Sequence, residues 1–345
     1  MTTTEGKLRV GLTRSLFNPD GSSAFDFGLD VLESRKDIIW EIIPTDETEL
    51  PPESLVGYDA IIAELPGDVT RRSVSGNDRL RLVARVGVGY DSVDVPALTE
   101  RGILLTNTPD GVRRTMATAA VTLVLVVSQQ VTQRDRFSHQ GRWNDRGKYV
   151  GVGLQDRVLG LVGLGNIGRE VARLIAPWDM RKIAYDPHLP AATAAEVGCE
   201  LVSLDRLMRE ADFVVITAAL TPETHHLIDA PQLAKMKKTA FVVNIARGPI
   251  VDQAALTEVL KSQRIAGAGL DVFEVEPLAE NDPLVGLDNV VLTAHSIGFT
   301  DTCFRECGIS AINSVIALAE GRLPGNIVNR PALEHARWHG AGAKK

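Results

Sequence analysis

The sequence is short of the features that mark several classes of protein. Its 345 residues include only three cysteines, Cys199, Cys303 and Cys307. Three cannot close a disulfide set, and none has Cys or His companions at ligand spacing, so they read as reduced thiols with no metal site. That usage points to a reducing, cytoplasmic setting. Positive charge is also in deficit: 37 Lys and Arg against 44 Asp and Glu leave a net charge of −7. A chain without a basic face is a poor nucleic-acid binder, because phosphates must be neutralised. A small anion is still open, since a local basic pocket outweighs a diffuse acidic surface. Long apolar runs are missing as well. The start, M-T-T-T-E-G-K-L-R-V, lacks the apolar region of a secretory signal. The longest apolar stretch, 119–127, falls short of the ~20 residues of a membrane span. It reads as a buried helix, and no membrane partner is expected.

What is present suits a globular protein of two domains: 44% hydrophobic and 23% charged residues over this length supply ample core. Strand patterns at 8–12, 38–43, 60–63, 82–86 and 103–107 are interleaved with helical stretches such as 25–34 and 95–101. A long apolar helix at 115–131 and a polar stretch at 134–153 follow, the latter containing G-R-W at 141–143. A second alternation has strands at 158–162, 182–185, 213–217, 241–245, 267–272 and 290–293. Alternation of this kind predicts an α/β fold of parallel sheets covered on both faces. A last helix at 301–320 is too short to be a domain and is expected to return to the N-terminal unit. The tail from Glu334 has no clear pattern and reads as frayed. These divisions place a discontinuous first domain at 1–108 and 302–345, with a second domain inserted at 109–301.

The second alternation opens with G-L-G-N-I-G at 163–168. G-x-G-x-x-G alone is weak, but here an apolar strand precedes it and an amphipathic helix follows, with Val171, Leu174 and Ile175 on one face. Gly163 permits the tight turn, Gly165 lets the backbone approach a pyrophosphate, and Gly168 lets helix pack on strand. The N–H groups of Asn166 and Ile167 would meet the phosphate charge. Asp186, eighteen residues past Gly168, closes the next strand, where a carboxylate binds the adenosine ribose hydroxyls and repels the extra phosphate of NADP. With Pro187 and His188 following and no arginine cluster, NAD is favoured over NADP.

Three later residues complete a reducing site. Arg247, in N-I-A-R-G at 244–248, follows a strand, where a guanidinium can grip a carboxylate and a carbonyl oxygen in fork geometry. His295, in T-A-H-S-I-G at 293–298, also follows a strand and suits proton exchange near neutral pH. Glu276, in D-V-F-E-V-E-P at 271–277, would favour the imidazolium if it pairs with His295. Taken singly, each has a plainer reading: a surface Arg in an ion pair, a structural His, a solvated loop charge. His139, His188, His225, His226, His335 and His339 belong to no matching motif and read as structural or exposed.

With V-G-V-G-Y-D at 86–91, T-N-T-P at 106–109, G-R-W and L-T-P-E-T at 220–224, these runs resemble the D-isomer-specific 2-hydroxyacid dehydrogenases from about Leu8 to Asn329. The resemblance implies an inserted Rossmann domain and a flavodoxin-like substrate domain, with the site in the cleft. It implies hydride transfer between NADH and a small 2-oxo acid such as glyoxylate or hydroxypyruvate. Arg247 would bind the substrate carboxylate and carbonyl, and His295 would be the acid/base with Glu276 as partner. The N–H groups of Val88 and Gly89 would hold the carboxylate. Ala218, Ile245, Ala246, Asp271 and the turn from Ser296 to Gly298 would touch the cofactor. A homodimer through the helix from Thr115 and the G-R-W arm is also implied, as is the absence of a third, regulatory domain after Asn329.

The chain departs from the family pattern at Thr118, where Glu is common, at Ala294, where Pro usually precedes the histidine, and at Asp179, where Gly ends the fingerprint helix. Glu276 argues against a formate dehydrogenase, which pairs its His with Gln, and Val88 against a phosphite dehydrogenase, which has Lys there. Arg85 stands where some phosphoglycerate dehydrogenases hold a phosphate, or is a surface Arg at the base of the loop. A second class, an NAD(H)-sensing corepressor-like scaffold, keeps the same Arg, Glu and His and is the alternative.

Overall fold

The computed structural model describes residues 6–64 and 67–339. The chain divides into two units. One is the chain up to Val112 together with the chain from Phe299; the other is Arg113–Gly298.

The first unit is built on β1 (Leu8–Leu12), β2 (Ile38–Ile42), β3 (Ala60–Ala63), β4 (Leu82–Arg85) and β5 (Leu104–Thr106). All neighbours are parallel, in the order β2-β1-β3-β4-β5, the flavodoxin-like winding. Every residue of β3 and β4 is buried, as continuous apolar strands under helices on both faces require. The helix Asp301–Ala319 returns and packs on these two strands. Its first turn is capped by Thr300, whose hydroxyl accepts the Cys303 N–H at 3.1 Å.

The tail does not fray as expected. Short 3₁₀ turns at Arg330–Glu334 and Ala336–Trp338 hold it to the sheet unit. Trp338 is buried and donates its indole N–H to Gly102 O at 2.7 Å, and the Arg337 guanidinium donates to Leu80 O and Asp78 O. One large aromatic with a satisfied donor is enough to anchor a segment that has no periodic pattern. Residues 340–345 lie outside the described residues.

The second unit holds β6 (Val158–Val162), β7 (Arg181–Tyr185), β8 (Cys199–Leu201), β9 (Phe213–Ile216), β10 (Phe241–Asn244), β11 (Gly267–Leu270) and β12 (Val290–Leu292). The parallel order is β12-β11-β10-β9-β6-β7-β8. Counted from β6 this is the dinucleotide-binding winding 3-2-1-4-5-6 with one further strand at the far edge. Strand β8 was not anticipated. It is three residues long, Cys-Glu-Leu, and only its parallel pairing with β7 makes it a strand.

The helix Pro109–Ser128 starts six residues before its expected beginning at 115 and carries the chain from one unit into the other. At 20 residues it is long and apolar enough to cross a membrane by length and composition, which corrects the shorter count of the apolar stretch. Its Ala117, Ala120, Leu123, Val124 and Val127 are nevertheless buried with Leu159, Leu161, Val215 and Val243. It is a core helix of the second unit. It stops before 131 because Gln130 takes a left-handed conformation (φ 50°), and a separate helix, Val131–His139, runs into the polar stretch at 134–153. Asp179 is left-handed (φ 53°), as expected for a residue standing in for glycine.

Candidate active site

The glycine loop leaves β6 and enters the helix Asn166–Leu174. Gly163 has φ 89°, and a Cβ there would meet the Ala218 backbone at 2.7 Å. A Cβ on Gly168 would lie 2.5 Å from Gly163 O. Both positions therefore exclude side chains for steric reasons. Gly165 differs: nothing lies within 4 Å of where its Cβ would be. The open space at Gly165 faces the first N–H groups of the helix, at Asn166 and Ile167, which suits an anion. Asp186 follows β7 and braces the same loop, its Oδ2 accepting the Leu164 N–H at 2.9 Å and its Oδ1 the His188 N–H at 3.1 Å. These residues fit a dinucleotide whose pyrophosphate lies on the loop.

Arg247, Glu276 and His295 follow β10, β11 and β12 respectively, three consecutive neighbours in one parallel sheet. All three therefore emerge at the same C-terminal edge, the edge at which ligands bind in open parallel sheets. Strand β6, which leads into the glycine loop, lies two positions beyond β10, roughly 10 Å away at ordinary strand spacing.

His295 and Glu276 form a direct pair. The Nδ1–H of His295 donates to Glu276 Oε2 at 2.7 Å, and Glu276 Oε1 accepts the Phe273 N–H at 2.9 Å. An ionised carboxylate only accepts, so this contact places one ring proton on Nδ1 and leaves Nε2 outside the pair. About a third of each side chain is exposed, 36% for His295 and 35% for Glu276. Burial pushes the Glu276 carboxyl up, but the His295 hydrogen bond, the Phe273 N–H and the charges of His295 and Arg247 outweigh it and hold the carboxyl below its ordinary range. The Arg247 guanidinium is thus close enough to act on this carboxylate. Its own backbone is extended, its side chain is half-buried, and its Nη1 donates to Ala246 O at 2.7 Å.

The histidine turn is strained and braced. His295 has φ 51°, a left-handed conformation uncommon for a non-glycine residue. Its N–H donates to both Asp271 O (2.8 Å) and Thr293 O (2.9 Å). Asp271 is 1% exposed, and its Oδ1 accepts from Thr293 Oγ1 (2.7 Å), Ser296 N (3.0 Å) and Ile297 N (3.1 Å). One buried carboxylate therefore braces the turn on both sides of His295. This bracing role was not legible in the sequence, although Asp271 and Thr293 stand in two of the motifs.

The remaining second-unit positions lie around these loops. Ala218 is packed on Gly163, Ile245 is buried, and Ala246 donates its N–H to Asn244 Oδ1 at 3.0 Å. Gly298 is buried, and a Cβ on it would meet Met116 Sδ at 2.5 Å.

The family described as D-isomer specific 2-hydroxyacid dehydrogenase, NAD binding domain, matches residues 121–296. The glyoxylate reductase of Pyrococcus horikoshii is 38% identical over 322 residues, covering 90% of this chain and 94% of that protein. The chain belongs to the D-isomer-specific 2-hydroxyacid dehydrogenases. It is an oxidoreductase of small 2-hydroxy and 2-oxo acids that uses a nicotinamide dinucleotide. A D-3-phosphoglycerate dehydrogenase from Methanocaldococcus jannaschii is 37% identical over 282 residues, covering 81% of this chain but only 53% of that protein. Among solved structures, the NADPH-dependent glyoxylate/hydroxypyruvate reductase of Sinorhizobium meliloti, in complex with NADP and malonate, aligns with a TM-score of 0.81 at 25% identity. The alignment covers 94% of this chain and 98% of that one.

In this dehydrogenase the first unit carries Arg85, Val88 and Gly89. Arg85 is not a surface residue. It is 3% exposed, with Nη1 donating to Ala63 O and Val86 O at the end of β4. The loop after it turns at Gly87 (φ 106°) and is tied to the 106–109 segment. Gly87 N–H donates to Thr108 Oγ1 at 2.8 Å and Asn107 Nδ2–H to Val88 O at 3.0 Å. The N–H groups of Val88 and Gly89 find no acceptor among the described residues.

Proposed function

We propose that the dehydrogenase reduces a small 2-oxo acid, glyoxylate, hydroxypyruvate or a close relative, with NADH, and that His295 is its acid/base. The observation that carries this reading is the 2.7 Å His295–Glu276 pair at the same sheet edge as Arg247. The likeness to a glyoxylate reductase supports the substrate class. Arg247 grips the carboxylate and ketone oxygen. The bound dinucleotide supplies the hydride. As charge builds on the ketone oxygen, Arg247 stabilises it and Nε2 of His295 delivers the proton. The scaffold alternative gains nothing from the comparisons. Steady-state kcat/KM across a 2-oxo acid panel, with NADH and with NADPH, tests the proposal; no turnover on any member overturns it.

Glu276 sets the working pH. Its carboxyl is held low partly by the hydrogen bond with His295, so a negative charge stays beside the ring. Reduction needs the protonated ring, so Glu276→Gln is expected to move the falling limb of the reduction profile to lower pH. A kcat–pH profile unchanged by the substitution removes Glu276 from the mechanism.

Asp186 supports NAD over NADP. A carboxylate fixed by two N–H groups beside the glycine loop opposes a ribose 2′-phosphate. Asp186→Ser is expected to raise the NADPH-to-NADH ratio of kcat/KM by about tenfold or more, one removed like-charge contact being worth on the order of 1.4 kcal/mol. An unchanged ratio would mean that selection lies elsewhere. We further propose a homodimer through the second unit, whose arm leaves Val131, Trp143 and Val150 exposed at 45%, 67% and 73%.

A further inference from the structure

Arg247 and Glu276 lie beyond the paired ends of β10 and β11, whose register runs to Asn244 and Leu270. Two contacts join the segments that carry them. Gly248, directly after Arg247, packs on the Phe273–Glu274 peptide so closely that a Cβ would sit 1.9 Å from Phe273 C. The second contact is a polar clasp. The His226 N–H donates to Pro249 O at 2.8 Å, on the Arg247 side. The same residue's Nε2–H donates to Glu274 Oε1 at 2.7 Å, on the Glu276 side. Glu274 is fixed in turn by the N-terminus of the helix Gln253–Lys261. The Gln253 N–H donates to Glu274 Oε1 at 3.1 Å, and the Glu274 N–H donates to Gln253 Oε1 at 3.0 Å.

His226 makes this bridge from a left-handed conformation, φ 50°. That backbone is unfavourable for a non-glycine residue and persists only where its surroundings hold it. Its ring also stacks on His225, centroids 4.1 Å apart, which fixes the direction in which Nε2 points.

We propose that His226 is a positioning residue that, through Glu274, sets the spacing between the Arg247 segment and the Glu276 turn. The inference rests on the catalytic roles proposed for Arg247, Glu276 and His295. It assigns a function to a histidine outside every recognised motif and outside direct reach of the chemistry. Catalytic groups must be held within about 0.5 Å of productive geometry, and a misplacement near 1 Å costs up to about 10²-fold in rate.

The test compares three variants of the full-length protein. His226→Phe keeps the ring volume and removes the donor. His226→Gln restores a donor at the Nε2 position. The third is the double variant His226→Phe, Glu274→Ala. The phenylalanine variant is expected to lower kcat for 2-oxo acid reduction by about tenfold or more, with the NADH Kd within about twofold of wild type. The glutamine variant should recover most of the loss, and the double variant should be no worse than the single one. A phenylalanine variant within twofold of wild-type kcat, a glutamine variant that recovers nothing, or additive losses would each overturn the proposal. If the phenylalanine variant fails to fold, Glu274→Ala alone is judged by the same thresholds. Hydrogen exchange separates this inference from the functional reading. If the wild-type protein reduces no 2-oxo acid, that reading fails, and the clasp is judged by exchange alone. His226→Phe should speed exchange at the Phe273 and Glu274 amides while leaving β6 unchanged, and unaltered exchange there overturns it.

Discussion

Replacing His295 by alanine is expected to lower kcat for 2-oxo acid reduction by about 10²–10⁴-fold, equivalent to roughly 2.7–5.5 kcal/mol of barrier. The NADH Kd is expected to stay within about threefold. The loss follows from the ring's place in the structure. Nδ1 is committed to Glu276 at 2.7 Å, so Nε2 alone can exchange a proton with substrate. The proposed cofactor contacts lie elsewhere, at the glycine loop and Asp186, which the substitution leaves intact. Alanine at φ 51° is strained, so His295→Asn is the companion variant, since asparagine tolerates the left-handed region and is not an acid at neutral pH. Both variants should lose turnover, and the asparagine form should keep the thermal stability of the parent. Either variant turning over near the wild-type rate would show that the proton comes from another group.

Arg247 is expected to be nearly as sensitive. Arg247→Leu should lower kcat/KM for a 2-oxo acid by about 10³-fold or more, because it removes the carboxylate grip and the positive charge facing the growing oxyanion together. Arg247→Lys should still lose about 10²-fold. An ammonium is a point charge on a flexible stem and cannot reproduce a planar fork. The split between parameters is the informative measurement. Loss of grip raises KM, and loss of charge stabilisation lowers kcat. If only KM moves, Arg247 binds the ground state and takes no part in the chemical step. The guanidinium also acts on Glu276, whose carboxyl it helps to hold low, so the lysine variant, which keeps the charge, should disturb the pH profile less than the leucine one.

The strands were legible because each is a short apolar run bounded by turn residues, and the runs at 8–12, 60–63 and 158–162 coincide with β1, β3 and β6. The glycine loop was legible because two of its glycines answer steric demands that no other residue meets. Strand β8 was not, because Cys-Glu-Leu has no periodicity of its own and forms only on the edge that β7 offers. The tail was read as frayed because local pattern does not reveal that Trp338 finds Gly102 O, 236 residues away in the chain. The surface reading of Arg85 fails because a charged side chain at a strand end gives no sign that neighbouring carbonyls will surround it. Asp271 and His226 were underestimated for one reason. Their partners are 22 and 48 residues distant in sequence, and bracing is a property of pairs rather than of residues.

The amino-acid sequence alone determined the alternation of strands and helices, the dinucleotide loop, and which side chains stand immediately after which strands. Those are consequences of local periodicity and of backbone sterics, which act over a few residues. Only the tertiary structure decided that the strands before Arg247, Glu276 and His295 are adjacent, that the imidazole's Nδ1 is the bonded nitrogen, and that a buried aspartate and a second histidine hold the loops in place. Sheet order is set by how whole layers pack, and hydrogen bonds between distant segments exist only once that packing has brought the segments together.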